Sequence, residues 1–153
     1  MANTYTQLYI QLVFAVKHRN TLIERRWKEE LHRYITGIVE NCGHKLLRIH
    51  AMPDHIHILI GYHPDQSIAS LVKVIKMSSN HFINEQRLSS QQFAWQKGYG
   101  AFSYSRSQVP LVARYIEQQE QHHAGKNFRQ EYLGILNKAG VPYEPRYLFD
   151  FFE

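Results

Sequence analysis

Pro53-Asp54-His55-Ile56-His57-Ile58-Leu59-Ile60 is the stretch on which the fold turns. Side chains alternate across a strand, so Ile56, Ile58 and Ile60 share one face while His55 and His57 share the other. Three isoleucines in step ask for a core. Two imidazoles side by side on the opposite face are spaced to hold one metal ion. Taken alone, a His-x-His pair is more commonly a pair of surface or core-edge histidines.

Working outward, Pro53-Asp54 forms a tight turn after a strand at 45–52, and Pro64-Asp65 ends the histidine strand near Tyr62. Residues 5–17 alternate: Leu8, Ile10, Leu12, Phe14 and Val16 face one way, and Tyr5, Gln7, Tyr9, Gln11 and Val13 the other. A helix is predicted over 22–42, with Leu31, Ile35, Ile38 and Cys42 as its stripe and Gly43 as its stop. A second helix covers 67–86. A fourth strand follows at 100–105, then a helix over 108–123 and another over 129–139. Strand, helix, strand, strand, helix, strand, helix is a split βαβ order. It predicts an α+β, ferredoxin-like or RRM-like fold. Four antiparallel strands carry two helices on one face, and a further C-terminal helix bears a tyrosine. The first and third strands are central, and the uncovered face gathers Tyr9, Gln11, His55 and His57. No repeat, linker or low-complexity segment interrupts 1–153, which reads as one domain.

The helix over 108–123 carries Tyr115 and Gln119, four apart and on one face. Laid across the uncovered sheet face, it presents both to the histidine pair. The Gln119 carbonyl then supplies a third ligand, and Tyr115 becomes a nucleophile. Two imidazoles and an amide are neutral, so the charge of a divalent cation stays available to a phosphodiester. A free phenol has a pKa of about 10 and needs activation. On spacing alone, Tyr115 is one of ten tyrosines and a packing role competes. Gln118 competes with Gln119, and His122 and His123 read as a solvated helix end. Asp54 either accepts a hydrogen bond from an imidazole or simply shapes the turn.

Eighteen Lys and Arg against thirteen Asp and Glu give a net charge of +5, which favours a polyanionic partner without deciding it. Lys73 and Lys76, three apart on the second helix, and Arg114 are candidates for gripping backbone phosphates. Tyr9 and Tyr99 are candidates for stacking on unpaired bases. Trp95 and Phe102 read as core. A single cysteine, Cys42, excludes an internal disulfide framework and suits a reducing, cytoplasmic setting. No long apolar run suggests a membrane span, and no P-loop glycine pattern suggests a nucleotide cofactor.

His55-Ile56-His57, followed by Tyr115-Ile116-Glu117-Gln118-Gln119, resembles the motif pair of single-tyrosine HUH transposases of the insertion sequence 200/605 group. Trp95-Gln96-Lys97-Gly98-Tyr99-Gly100-Ala101-Phe102-Ser103 and Gln121-His122-His123 read like the same family, so the resemblance spans nearly the whole chain. It implies a metal-dependent enzyme that cleaves and rejoins single-stranded DNA at hairpins. Mg²⁺ or Mn²⁺ would be held by His55, His57 and Gln119, and Tyr115 would form a 5′-phosphotyrosine. It also implies a homodimer, in which the tyrosine helix of one subunit can serve the histidines of the other. Two other functions fit the same features. One is a domesticated endonuclease acting on hairpins. The other is a non-catalytic single-strand binding module, since the strand order and aromatic sheet face also suit RNA recognition.

Overall fold

Alternation in the central strands fixes which side of the sheet becomes core and which becomes a site. A computed structural model describes residues 3–152, so residues 1, 2 and 153 of the range assigned to one domain lie outside the described residues. The strands are β1 (Tyr9–Ala15), β2 (Lys45–Met52), β3 (His55–Gly61) and β4 (Gly100–Tyr104). They form one antiparallel sheet in the order β2-β3-β1-β4. The two most apolar strands are therefore central, as the sequence predicts. In the β1–β3 register, Leu12 faces Ile58, Ile10 faces Ile60 and Phe14 faces Ile56. All six side chains belong to the main core.

Two long helices cover that face: α1 (Arg25–Asn41) and α2 (Ile68–Glu85). Trp27, Leu31, Ile35 and Val39 of α1 recur at helical spacing and are all buried. The α2 stripe is Leu71, Val72, Ile75, Ser79 and Ile83. Ser67 caps α2 by accepting a hydrogen bond from the Ser70 amide at 3.0 Å. Gly43, at φ +92°, ends the turn after α1 and lets the chain enter β2. The buried Ser79 hydroxyl accepts from Trp95 Nε1 at 2.9 Å, which locks the segment before β4 onto α2.

The tyrosine helix lies across the sheet face that bears the histidines, as expected, and a further helix joins it there. Helix α3 (Val109–Glu117) packs on β2 and β3, with Val109, Val112, Ala113 and Ile116 against Leu47 and Leu59. A short α4 (Gln119–His122) and then α5 (Phe128–Ala139) follow. Phe128, Tyr132 and Leu136 of α5 join the core from the histidine side. Asn127 and Gln130 cap α5 reciprocally, at 2.8 and 3.0 Å. The predicted helix over 108–123 is broken at Gln118, whose φ of −99° and ψ of +25° leave the helical region. Tyr115 and Gln119 thus sit on two helices rather than one. The predicted strand over 5–17 is also trimmed, to Tyr9–Ala15. Among the described residues, no helix is long and apolar enough to cross a membrane.

Trp27 is 2% exposed and meets the edge of Phe93 at 6.1 Å between ring centres. Trp27→Ala should cost about 3–5 kcal/mol through lost burial and a cavity. Chemical denaturation checks this: a lower midpoint at unchanged slope is expected, and a change below 1 kcal/mol would contradict the packing described.

Candidate active site

The turn before β3 and the pairing of β3 with β1 aim the two imidazoles. Both are fully buried. Asp54 accepts a hydrogen bond from His55 Nδ1 at 2.7 Å, and Gln11 Oε1 accepts one from His57 Nδ1 at 2.7 Å. Gln11 is itself held by donating to the Tyr104 hydroxyl at 2.7 Å. Each ring is thereby pinned through Nδ1, and each turns Nε2 into the same small space. Phe128 stacks on His55 at 3.8 Å with planes 4° apart, fixing that ring from above.

The group at the centre of this space is Glu131, from α5, which is 3% exposed. Its two oxygens have different neighbours. Oε1 lies 3.2 Å from His55 Nε2, 3.3 Å from His57 Nε2 and 2.8 Å from His123 Nε2. Oε2 accepts from Gln119 Nε2 at 2.8 Å and from the Tyr115 hydroxyl. Tyr115 is half-buried, 6.3 Å from the His57 ring centre, and stacks on His122 at 4.2 Å. So Tyr115, Gln119, His55, His57 and Asp54 are brought together as the sequence spacing suggests. His122 and His123 also face the site instead of ending a solvated helix.

Charge in this enclosure follows from burial and partners. Burial by itself would raise the Glu131 carboxyl, but the imidazoles of His123, His55 and His57 outweigh it and hold the group well below the usual carboxylate range. Burial would lower His55 too, yet Asp54 and Glu131 carry it above its ordinary value. For His57, burial prevails over Glu131 and the ring is lowered. The Tyr115 phenol is pushed up, first by burial and then by the carboxylate it donates to. In this arrangement the phenol is a neutral hydrogen-bond donor.

His55, His57 and Glu131 each offer an atom within 4.8 Å of the others, a donor set that suits a divalent cation. Two buried atoms support the fit. His55 Nε2 has no aligned hydrogen-bond partner, and neither does the carbonyl oxygen of fully buried Gln119. Buried polar atoms are ordinarily paired, so both await something. A cavity of about 270 Å³ lined by Arg25, Lys28, Met52, Glu120 and His123 adjoins the enclosure.

The remaining sequence candidates lie elsewhere. Lys73 is exposed on α2, on the other side of the sheet from the histidines. Lys76, also on α2, donates to the carbonyls of Gln96 at 2.8 Å and Gly98 at 2.6 Å and sits over the Phe14 ring. Arg114 is exposed on the outer side of α3, and Tyr9 and Tyr99 are half-buried. Trp95 and Phe102 are core. Sequence reasoning missed Glu131. Its signal was an acidic residue interrupting the apolar stripe Phe128–Tyr132–Leu136 of a predicted helix.

Residues 4–119 match the family model described as IS200-like transposase. A relative, the ISDra2 transposase TnpA of Deinococcus radiodurans, is 26% identical over 118 residues, which cover 74% of this chain and 84% of the relative. Among solved structures, a candidate transposase from Deinococcus radiodurans R1 superposes with a TM-score of 0.62 at 24% identity, over 76% of this chain and 94% of that one. A REP-associated tyrosine transposase bound to a REP hairpin superposes with a TM-score of 0.60 at 14% identity, over 79% and 72% of the two chains. The family match takes in both imidazoles, the tyrosine and the glutamine gathered around Glu131: the chain belongs to the IS200-like transposases, enzymes that cleave DNA strands and transfer them.

Proposed function

We propose that this chain cleaves and rejoins single-stranded DNA at hairpins, with Tyr115 as nucleophile and a divalent cation, Mg²⁺ or Mn²⁺, held by His55, His57 and Gln119. The observation that carries the reading is the enclosure itself. One tyrosine hydroxyl and two Nε2 atoms converge on a single buried carboxylate, beside a Gln119 oxygen that has no partner. A cation there supplies a positive charge next to a scissile phosphate. The relative bound to a REP hairpin supports hairpin DNA as the substrate class. The net charge of +5 is of the right sign for it.

Each residue has a definite task. Asp54 and Gln11 hold the imidazoles through Nδ1 and leave Nε2 for ligation. Glu131 and His122 hold the phenol ring in place. Tyr115 Oη forms a bond to phosphorus as the bond from phosphorus to the 3′-oxygen breaks. The phenol loses its proton, the 3′-oxygen gains one, and the 5′-phosphate stays on the protein. One phosphodiester replaces another, so the strand can be rejoined by attack of a 3′-hydroxyl without an external energy source. Within one chain the Tyr115 hydroxyl reaches the carboxylate that borders its own histidine pair, which supports a tyrosine acting in its own subunit.

Tyr115→Phe should abolish the covalent adduct with end-labelled single-stranded hairpin DNA while binding persists. A denaturing gel with Mn²⁺ reads this out, and an undiminished adduct would remove Tyr115 from the mechanism. The double variant His55→Ala, His57→Ala should stop cleavage as well. Mixing these two inactive proteins should leave both inactive; recovered cleavage would place the tyrosine at the partner subunit's histidines. Gln11→Leu removes the acceptor that orients His57 and should weaken Mn²⁺ binding about ten-fold. Paramagnetic resonance of free Mn²⁺ measures it, and unchanged affinity would contradict the orienting role.

A further inference from the structure

Glu131 lies outside the family match at residues 4–119, and nothing in the paired motifs of the sequence points to it. We propose that Glu131 is an additional protein ligand of the divalent cation, binding through Oε1 between the two imidazoles while Oε2 keeps its hold on Tyr115. One carboxylate then ties the cation to the nucleophile. The inference rests on the cation reading above and deepens it, because it changes the charge of the ligand set.

Three observations carry it. The first is distance. Neighbouring ligands around an octahedral cation with bonds of about 2.1 Å are separated by about 3.0 Å. Glu131 Oε1 stands 3.2 and 3.3 Å from the two Nε2 atoms, so two edges of a triangular face of such a site already have that spacing, and all three atoms lie within 4.8 Å of one another. The second is direction. His55 Nε2 pairs with Oε1 by charge at 3.2 Å but without an aligned hydrogen bond, so the contact leaves the nitrogen's bonding direction open to a cation. The third is the division of labour between the oxygens. Oε1 faces only imidazoles, whereas Oε2 is saturated by Tyr115 and Gln119. A carboxylate oxygen has room for His123 N–H and a cation together.

The consequence is electrostatic. Two imidazoles and an amide leave a divalent cation with its full charge of two. Glu131 reduces the net charge of the complex to one, and the buried anion gains the partner that best compensates it. The same carboxylate that raises the phenol's proton affinity is then partly neutralised by the cation.

The test uses DNA-free, full-length protein titrated with Mn²⁺. Wild type should bind, and Glu131→Gln, which keeps shape but not charge, should lose roughly a hundred-fold in affinity, at the upper end of what even a ligand's supporting partner costs. Infrared difference spectra of wild type should show a carboxylate stretch that shifts on Mn²⁺ saturation. That band should be missing from Glu131→Gln, and the wild-type spectrum needs no variant to fold. Near-wild-type affinity in Glu131→Gln, with binding lost in His55→Ala, His57→Ala, would overturn the role of Glu131 and leave the cation reading standing. An unshifted carboxylate band in Mn²⁺-saturated wild type would overturn it equally. If wild type binds no Mn²⁺ at all, the cation reading itself fails and takes this ligand with it.

Discussion

A single buried carboxylate organises the functional half of this molecule. Glu131 gathers His55 and His57 from β3, Tyr115 from α3, and Gln119 and His123 from α4 and its cap, around two oxygens. An unpaired charge in that position would be prohibitively costly, and stripping away its partners typically costs 3–5 kcal/mol. The neighbours are therefore obliged to converge. The helix side of the sheet is held by ordinary apolar burial. The histidine side is held largely by polar groups that need one another.

That arrangement is incompletely satisfied. His55 Nε2 and the Gln119 carbonyl oxygen are buried without a hydrogen bond, while Glu131 accepts from several groups at once. A protein core built only for stability would not leave acceptors idle beside a charged group. Sites that receive a ligand commonly do, since the missing contacts arrive with the ligand. Apolar support is concentrated just outside: Phe128 lies on His55, and Phe149 and Phe151 pack on Phe128 from behind. The last aromatic residues are tied in turn to the strand region through Gln96, which donates to the Asp150 carbonyl and accepts from its amide.

Much of this was legible in residue order. Period-two alternation gave β1 and β3 and correctly placed both in the sheet centre, because register in a half-buried strand is set by its apolar face. The pairing of His55 with His57 on one face, and their approach to Tyr115 and Gln119, were likewise legible. Three features were not. The break at Gln118 leaves no proline or glycine to announce it, and the periodicity of Tyr115 with Gln119 reads straight through it. The docking of α5 beside α3 on the histidine face is a tertiary event with no local signal. Glu131 was hidden for the same reason, since its partners lie 8 to 76 positions away and a lone acid on a helix ordinarily faces water. Lys76 illustrates the converse. Beside Lys73 it reads as half of a basic pair, yet its ammonium is occupied by two carbonyls.

The division between sheet and α5 has a wider implication. His55, His57, Tyr115 and Gln119 lie within the stretch shared with other transposases, while among the described residues the carboxylate grouped with the two strand imidazoles comes from a helix beyond it. Backbone geometry and net charge at the candidate site are therefore carried by different pieces of the chain. A substitution at Glu131 alone changes the charge around the two imidazoles without replacing any strand residue. The chemistry and its strength are written in different places.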